Sequence, residues 1–444
     1  MAHVISLTDG TATITFTAAN GYQVEEYDPR TPEAENGADV DSVAETLQIY
    51  ITGSSGSQVQ TRQAALERLL LGVRNRARSG VGPRVFLQLQ LDSDASTWRS
   101  ELFAYALPPK EQALRLWPNN VVSLELSILR APWWEGALAQ LPLTNSSASN
   151  NTSGLTIYNH DDSGTNHDNY VQIAAADVGG SLPAPVKVEL TNNTGGSLNY
   201  KWIWLANNAF SDPANFPHIL EGEAFVAGGG STGSNADSSN GSYATIAVTG
   251  ENYQQWTLSA SLLAKARGYD FHLMARFRSV NNTVYIRPSI LESTGASTLW
   301  RGSEVQVGTL SDAIVDLGVI PLPPGGYSSA YGAQRLQLYY RTASTVTVQV
   351  DFLAFFPAST FRRLALIPPQ VNGAQITDDQ PEGRAYVVSS GAETAAVVTA
   401  GVPLLVWPNT LQRVYVLHGF NDLSAAIDKT LSVKMWYRPR RASF

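Results

Sequence analysis

A single stretch of this sequence keeps a helical period, and nearly everything else keeps the two-residue period of strands. That contrast limits the folds open to it. From Gln58 to Arg78, apolar residues recur at Leu66, Leu69, Leu70, Val73 and Ala77, one stripe of an amphipathic helix. Ser57 followed by Gln60 reads as a capping box, and Gly80 reads as the stop. Before the helix, "TATITFTA" alternates through Ile14 and Phe16, and "ETLQIYITG" through Leu47, Ile49 and Ile51. After it, "RVFLQLQL" keeps Val85, Leu87, Leu89 and Leu91 in phase, and "SELFAYAL" and "VVSLELSIL" follow. One helix on a strongly curved antiparallel sheet is the economical assembly, an α+β, split-barrel-like domain over residues 1–145.

Beyond it the texture changes. Loop-like "LPLTNSSASNNTSG" and "YNHDDSGTNHDN" precede the strands "NYVQIAA", "APVKVELTN" and "LNYKWIWLA". A tract "GGGSTGSNADSSNGS" then opens a region, Tyr243 to Phe356, that is nearly all strand and turn. "AYVVSS", "RVYVLHGF" and "LSVKMWYRPRR" are strands again. Many short strands at this spacing predict two-sheet sandwiches, so the fold class is mainly β. With 444 residues, several cores are expected.

Composition narrows the function classes. Charged residues are only 15% and hydrophobic ones 43%, as in a folded chain. A net charge of −8 gives no general attraction to nucleic acid or anionic membranes. No apolar run is long enough to insert in a membrane, and "MAHVISLTDG" lacks signal-peptide features, so a soluble protein made in a cytoplasm is expected. Without cysteine there are no disulfides or thiolate metal sites.

Catalytic signals are weak. "GGSTG" (229–233) fits G-x-S-x-G, but a nucleophile elbow needs a helix after the serine, and a Gly/Ser/Asn loop follows Ser231. His160, Asp161, Asp162, His167 and Asp168 lie close enough in sequence for a zinc site, or form a solvated turn. No phosphate loop or dinucleotide fingerprint occurs, and the chain reads as not an enzyme. Sugar binding calls for an aromatic ring beside polar groups. Tyr253, Trp300, Tyr327 and Tyr331 are the candidates, whereas Trp256 at a strand start reads as core.

The pair in "LRAPWWEG" raises its own question. Neighbouring side chains on a strand point to opposite faces, so Trp133 and Trp134 cannot share one core there. Either one ring meets a neighbouring domain or subunit, or both fill a junction within the chain. The helix also carries Arg62, Arg68, Arg74, Arg76 and Arg78. That face would be solvated, or touch nucleic acid without reading its sequence, or pair with Glu25, Glu26, Glu33 or Glu35 of another subunit.

The strand-rich start, single helix, three strands, "ILRAPWWEG" and "LPLTN" together resemble the distal tail proteins of long-tailed bacteriophages. "GGSLPAPVKVELTN" (179–192) extends the resemblance more loosely into a second domain. It implies a homohexameric adaptor ring between tail-tube and tail-tip or hub proteins, in a virion tail assembled in the host cytoplasm. Trp133, Trp134, Arg62, Arg68 and Arg76 would then be subunit-interface residues. "LEGEAF" (220–225) and "VQVDFLAFFP" (348–357) resemble the first and last strands of galactose-binding-type jelly rolls. This implies a carbohydrate-binding module for a host-surface polysaccharide. It also implies a structural calcium (Ca2+) held by Glu221, Glu223 and Asp351, unless these acids merely mark strand ends. Evolved distal tail proteins carry such modules as inserts. The expected layout is a sandwich over 146–215 and 365–444, interrupted by a jelly roll at 216–364, with three serial domains as the alternative. Rival functions are a receptor-binding tail or fibre protein, a carbohydrate-binding protein without a ring, or a glycan hydrolase.

Overall fold

The computed structural model describes residues 4–25, 27, 29–30, 41–91, 96–107, 120–162, 167–196, 198–208, 219–324, 332–420, 426–427 and 429–443. The chain is mainly β and divides into two units. Met1–Ala139, Gly179–Leu182 and Arg438–Phe444 make the first; Gln140–Val178 and Pro183–Tyr437 make the second.

Among the described residues the first unit is one nine-stranded sheet. Its path runs Thr13–Thr15, Val4–Thr8, Phe86–Gln90, Thr97–Ala106, Val121–Arg130, Val43–Thr52, Tyr22–Val24. Strand Val43–Thr52 buries every second residue, as its alternating sequence requires. Helix α1, Gly56–Ser79, buries Val59, Leu66, Leu69, Leu70 and Val73 in the core that also holds Leu47, Ile49, Leu87 and Leu126. Enclosing Leu66 and Leu70 completely is worth roughly 1.5–3 kcal/mol each. Gly80 ends the helix in the left-handed conformation.

Two details depart from the sequence reading. The N-cap is Ser55, whose hydroxyl accepts from Gln58 N at 3.3 Å, while Gln58 Oε1 accepts from Ser54 N at 2.7 Å. The cap therefore sits two residues ahead of Ser57, because the preceding strand ends at Thr52. Ala77, on the apolar stripe, is exposed in the last turn.

A late segment of the chain belongs to this unit. Arg440–Arg441 pairs with Trp134–Glu135, and Arg438–Phe444 is grouped with the first unit. The guanidinium of Arg440 donates to Glu135 at 2.7 Å and lies 4.3 Å from the Trp133 ring.

In the second unit, strands from before and after the middle of the chain pair directly. Ala184–Asn192 lies between Leu431–Tyr437 and Gln375–Asp379, within an eight-stranded sheet. Tyr200–Asn207 lies between Gln412–Phe420 and Arg362–Gln370, within a five-stranded sheet. Buried polar ties join the two sheets: Asn192 Nδ2 donates to Gln370 O at 3.0 Å, and Tyr200 Oη to Thr430 O at 2.6 Å.

Between these halves, two six-stranded sheets share one core. The first contains Ser242–Val248, Tyr269–Val280 and Val346–Pro357; the second contains Glu251–Leu258, Val284–Leu291 and Gln334–Arg341. Trp256, Phe271, Phe277, Leu338, Val348 and Phe355 fill the space between them. Trp256 Nε1 donates to the carbonyls of Glu221 and Gly222, both at 3.1 Å. The glycine tract has a local cause. Gly228 and Gly230 hold positive φ, and a Cβ on either would lie 2.1 Å from Tyr253 O or 2.2 Å from Thr245 O. Ser231 sits in a strand, Ser231–Ser234, followed by a turn and the three-residue 3-10 helix Ser239–Gly241 and not by an α-helix, so "GGSTG" is not a nucleophile elbow.

Candidate functional site

The two outer faces of the six-stranded pair have different fates. Met274, Phe352, Ala354 and Phe356, on the first sheet, pack against Trp204, Phe361, Tyr415 and Leu417 around the five-stranded sheet. His272 stacks on Phe361 at 3.7 Å in the same seam. That face is covered.

The outer face of the second sheet is built otherwise. Register sets Tyr253 opposite Tyr339, and Tyr339 opposite Arg287. The next rows are Glu251, Arg341 and Tyr285 to one side, and Gln255, Gln337 and Ser289 to the other. Tyr253 is 40% exposed, and Tyr285 and Tyr339 are half-buried. Arg287 lies over the Tyr339 ring at 4.6 Å, and Arg341 over Tyr285 at 4.7 Å. Glu304 receives Arg341 at 2.6 Å, while Arg335 donates to Gln255 at 2.9 Å and Gln255 to Gln337 at 3.1 Å. A hydrogen bond to Glu251 raises the Tyr339 hydroxyl above its ordinary pKa. Rings flanked by fixed amides and guanidinium groups can stack on a pyranose and bond its hydroxyls.

Of the four sequence candidates, Tyr253 stands on this face. Trp300 is partly buried, opposite Ile290, and packs against the core. Tyr327 and Tyr331 lie outside the described residues. The sequence reading missed Tyr285 and Tyr339, although alternation in "VYIRPSIL" and "LQLYYR" marks them as outward-facing.

At one end of the pair of six-stranded sheets, Glu221, Glu223 and Asp351 surround the turn Ser238–Gly241. Ser239 Oγ donates to Glu221 at 3.0 Å, Ser239 N to Asp351 at 2.9 Å, and Asn240 Nδ2 to Glu223 at 3.2 Å. Asp351 also pairs with the fully buried Arg276. Among the described residues, Glu221 Oε2 and Glu223 Oε2 are buried without a hydrogen-bond partner. Burial, with Glu223 and Asp351 adding to it, pushes the Glu221 carboxyl up to about 8. Among the described residues these two oxygens fall short of the roughly six to eight oxygen ligands that calcium takes, and Asp351 is committed to Arg276. Among the described residues no group of three or more ligating side chains forms a metal cluster.

The histidine pair packs locally. His167 stacks on Tyr158 at 3.8 Å, and its Nδ1 is 3.1 Å from His160 Nε2. Asp168 instead accepts Ser146 N at 2.7 Å. Asp161 is pushed up to about 6, chiefly by burial.

In the first unit, Trp134 is fully buried beneath a charged centre. Arg130 lies 4.6 Å from its ring and pairs with Glu45 at 2.6 Å. Glu45 also accepts Tyr27 Oη at 2.5 Å and Arg30 N at 2.8 Å. Trp133 is half-buried. Arg62 donates to Thr52 O, and Arg76 to Gly82 O at 2.9 Å, both within the unit. Arg68 is exposed. Among the described residues no helix is long and apolar enough to cross a membrane.

No protein-family model and no curated protein matches the sequence. Among solved structures, the chain is similar to one in the phage P2 baseplate in its activated conformation with Ca, at 9% identity and a TM-score of 0.32, covering 99% of this chain and 98% of that one. It is similar to the Dit protein of phage SPP1, at 6% identity and a TM-score of 0.32, covering 99% of each chain. A chain of the P2 baseplate activated with Sr gives 10% identity and a TM-score of 0.24, over 78% of this chain and 100% of that one.

Proposed function

We propose that this chain is a structural protein of a bacteriophage tail, a subunit of an adaptor ring that displays a glycan-binding module. The first unit would be the ring-forming part and would meet the tail tube and the tail tip; the jelly roll of the second would hold a host-surface polysaccharide on its open sheet face. Binding and symmetry, not bond cleavage, are the mechanism. Identical subunits close head to tail, and weak sugar sites held together gain strength from effective concentration.

The observation that carries this reading is the layout of the chain. Arg440–Arg441 joins the first unit's sheet through Trp134–Glu135, so nearly everything from Gln140 to Tyr437 lies between two parts of one unit. A unit built from segments on both sides of another in the sequence suits a carrier with an insert. Electron microscopy of the purified protein, alone and with a tail-tube protein, tests it. Closed rings with a central hole are expected; a single-copy species under both conditions defeats the proposal.

The open face of Tyr253, Tyr285 and Tyr339 also suits a second reading, a receptor-binding or carbohydrate-binding protein without a ring. Glycan binding by a monomer would select that one. Glu221 and Glu223 are the proposed cation ligands, and a chelator that leaves the melting temperature unchanged removes them from that role.

A further inference from the structure

The open sheet face is not uniform along its strands. One row across four strands sets Gln255 opposite Gln337, Gln337 opposite Ser289, and Ser289 opposite Arg301. Arg335 stands one step further along and returns to this row by donating to Gln255 Oε1 at 2.9 Å. A guanidinium can only donate, so the direction of the amide relay is fixed. Gln255 turns its oxygen to Arg335 and its Nε2 to Gln337 Oε1, at 3.1 Å. Among the described residues this leaves Gln337 Nε2 free, as a donor. Gly295, at positive φ, leaves room for the relay, since a Cβ there would lie 2.8 Å from Gln255 Oε1 and 3.1 Å from Arg335 Nη1. Charge is uneven too. Among the described residues the acids on or beside this face are engaged: Glu251 accepts the Tyr339 hydroxyl, Glu304 accepts Arg341 at 2.6 Å, and Glu292 accepts the Thr294 hydroxyl at 2.6 Å. Arg335 has only an amide oxygen, and the exposed Arg301 makes no ion pair or hydrogen bond among the described residues.

We infer that the polysaccharide held on this face is an acidic one, its phosphate or carboxylate oxygens received by Arg335, Arg301 and Gln337 Nε2. This names the ligand class for the glycan-binding reading and rests on it. A row whose free groups are mainly donors and cations suits an oxyanion, which only accepts. A neutral sugar, whose hydroxyls donate as well as accept, would leave the guanidinium charge unanswered. The tyrosines serve the other half of the ligand. Arg335 lies four residues before Tyr339 on one strand, about 13 Å, so a chain laid along the strands meets rings and then charge. Gln255 is buried, and holding Arg335 against it means the guanidinium loses less freedom on binding.

Chemical editing of the ligand tests it with the full-length chain. Bacterial wall polysaccharides are titrated calorimetrically before and after two treatments. Hydrofluoric acid removes phosphodiesters, and carbodiimide followed by borohydride reduces carboxylates to alcohols. One treatment should weaken binding of the recognised polymer by about tenfold or more, and that treatment names the anion. Added salt should weaken the untreated polymer and leave the treated one nearly unmoved. Arg301→Gln with Arg335→Gln should abolish the difference between treated and untreated polymer. An unchanged melting temperature confirms folding, and Arg301→Gln alone, on an exposed side chain, replaces a double variant that misfolds. Binding that survives both treatments overturns the acidic class and leaves the glycan reading standing. A preference for untreated polymer that the variants keep puts the anion elsewhere, which also overturns it. A wild-type chain that binds no polymer of the set, treated or untreated, defeats the glycan reading itself, and the acidic class with it.

Discussion

Each unit buries an acid–arginine centre, and the two are finished differently. In the first, Glu45 faces Arg130, the Tyr27 hydroxyl and the Arg30 N–H, with Trp134 as an apolar wall. Charge is matched one to one. In the second, Arg276 meets Asp351, and Asp312 at 3.2 Å, while Glu221 and Glu223 keep one buried oxygen each without a partner. The first centre is balanced in charge, although Arg130 Nε finds no hydrogen-bond partner among the described residues, and fixes a strand end. The second carries carboxylate in excess and is complete only when a proton or a cation joins it. Buried charge alone therefore does not separate structure from function; whether it is balanced does.

The largest effect should come from breaking the closed centre. Arg130→Ala strands Glu45 and removes the cation over Trp134, and should cost about 3–5 kcal/mol in urea unfolding. Replacing both charges, Arg130→Met with Glu45→Leu, should recover much of that loss. If the single change costs no more than an exposed ion pair, under about 1 kcal/mol, the centre does not hold that strand end.

The open centre should respond in the opposite sense. Glu221→Gln removes a charge that burial disfavours, so in chelator it should stabilise by about 1–3 kcal/mol at neutral pH. The sign follows from the raised pKa. Wild type holds this contribution fully below the ordinary carboxyl value of 4.5 and loses it progressively as pH rises to about 8. The stability difference between variant and wild type should therefore grow across that window and level off above it. Calcium should raise the wild-type melting temperature by a few degrees, most at the alkaline end, and leave a Glu221→Gln, Glu223→Gln double variant unmoved. Equal calcium shifts in both proteins would place the ion elsewhere.

Much of this was readable from alternation alone. The helix, its glycine stop and the strands of the first sheet follow from period and punctuation. The role of Trp134 was not readable, because its environment depends on Glu45, brought beside Arg130 by the register Val43↔Arg130 across the sheet. By contrast, "LQLYYR" contains two tyrosines, and alternation from Leu336 and Leu338 already turns Tyr340 inward, where it is fully buried, and Tyr339 outward. Tyr253 could be nominated singly; its partners Tyr339 and Arg287 come from strands far along the chain. Trp300, chosen for its Gly, Ser and Arg neighbours, turned toward the core because it pairs opposite the inward Ile290. Flanking polarity reports exposure of the loop, not direction of the ring.

The smallest expected effect separates the cation seat from the glycan face. Tyr339→Ala removes a half-buried ring and its Arg287 contact, and should weaken binding to a panel of host-wall polysaccharides by about 0.5–1.5 kcal/mol per site. Its melting temperature should move little, because Tyr339 lies outside the shared core. Glu221→Gln should do the reverse, shifting stability while leaving glycan affinity alone. If the two variants change both properties together, the face and the seat are one coupled site. The open centre would then be part of sugar recognition and not a brace beneath it.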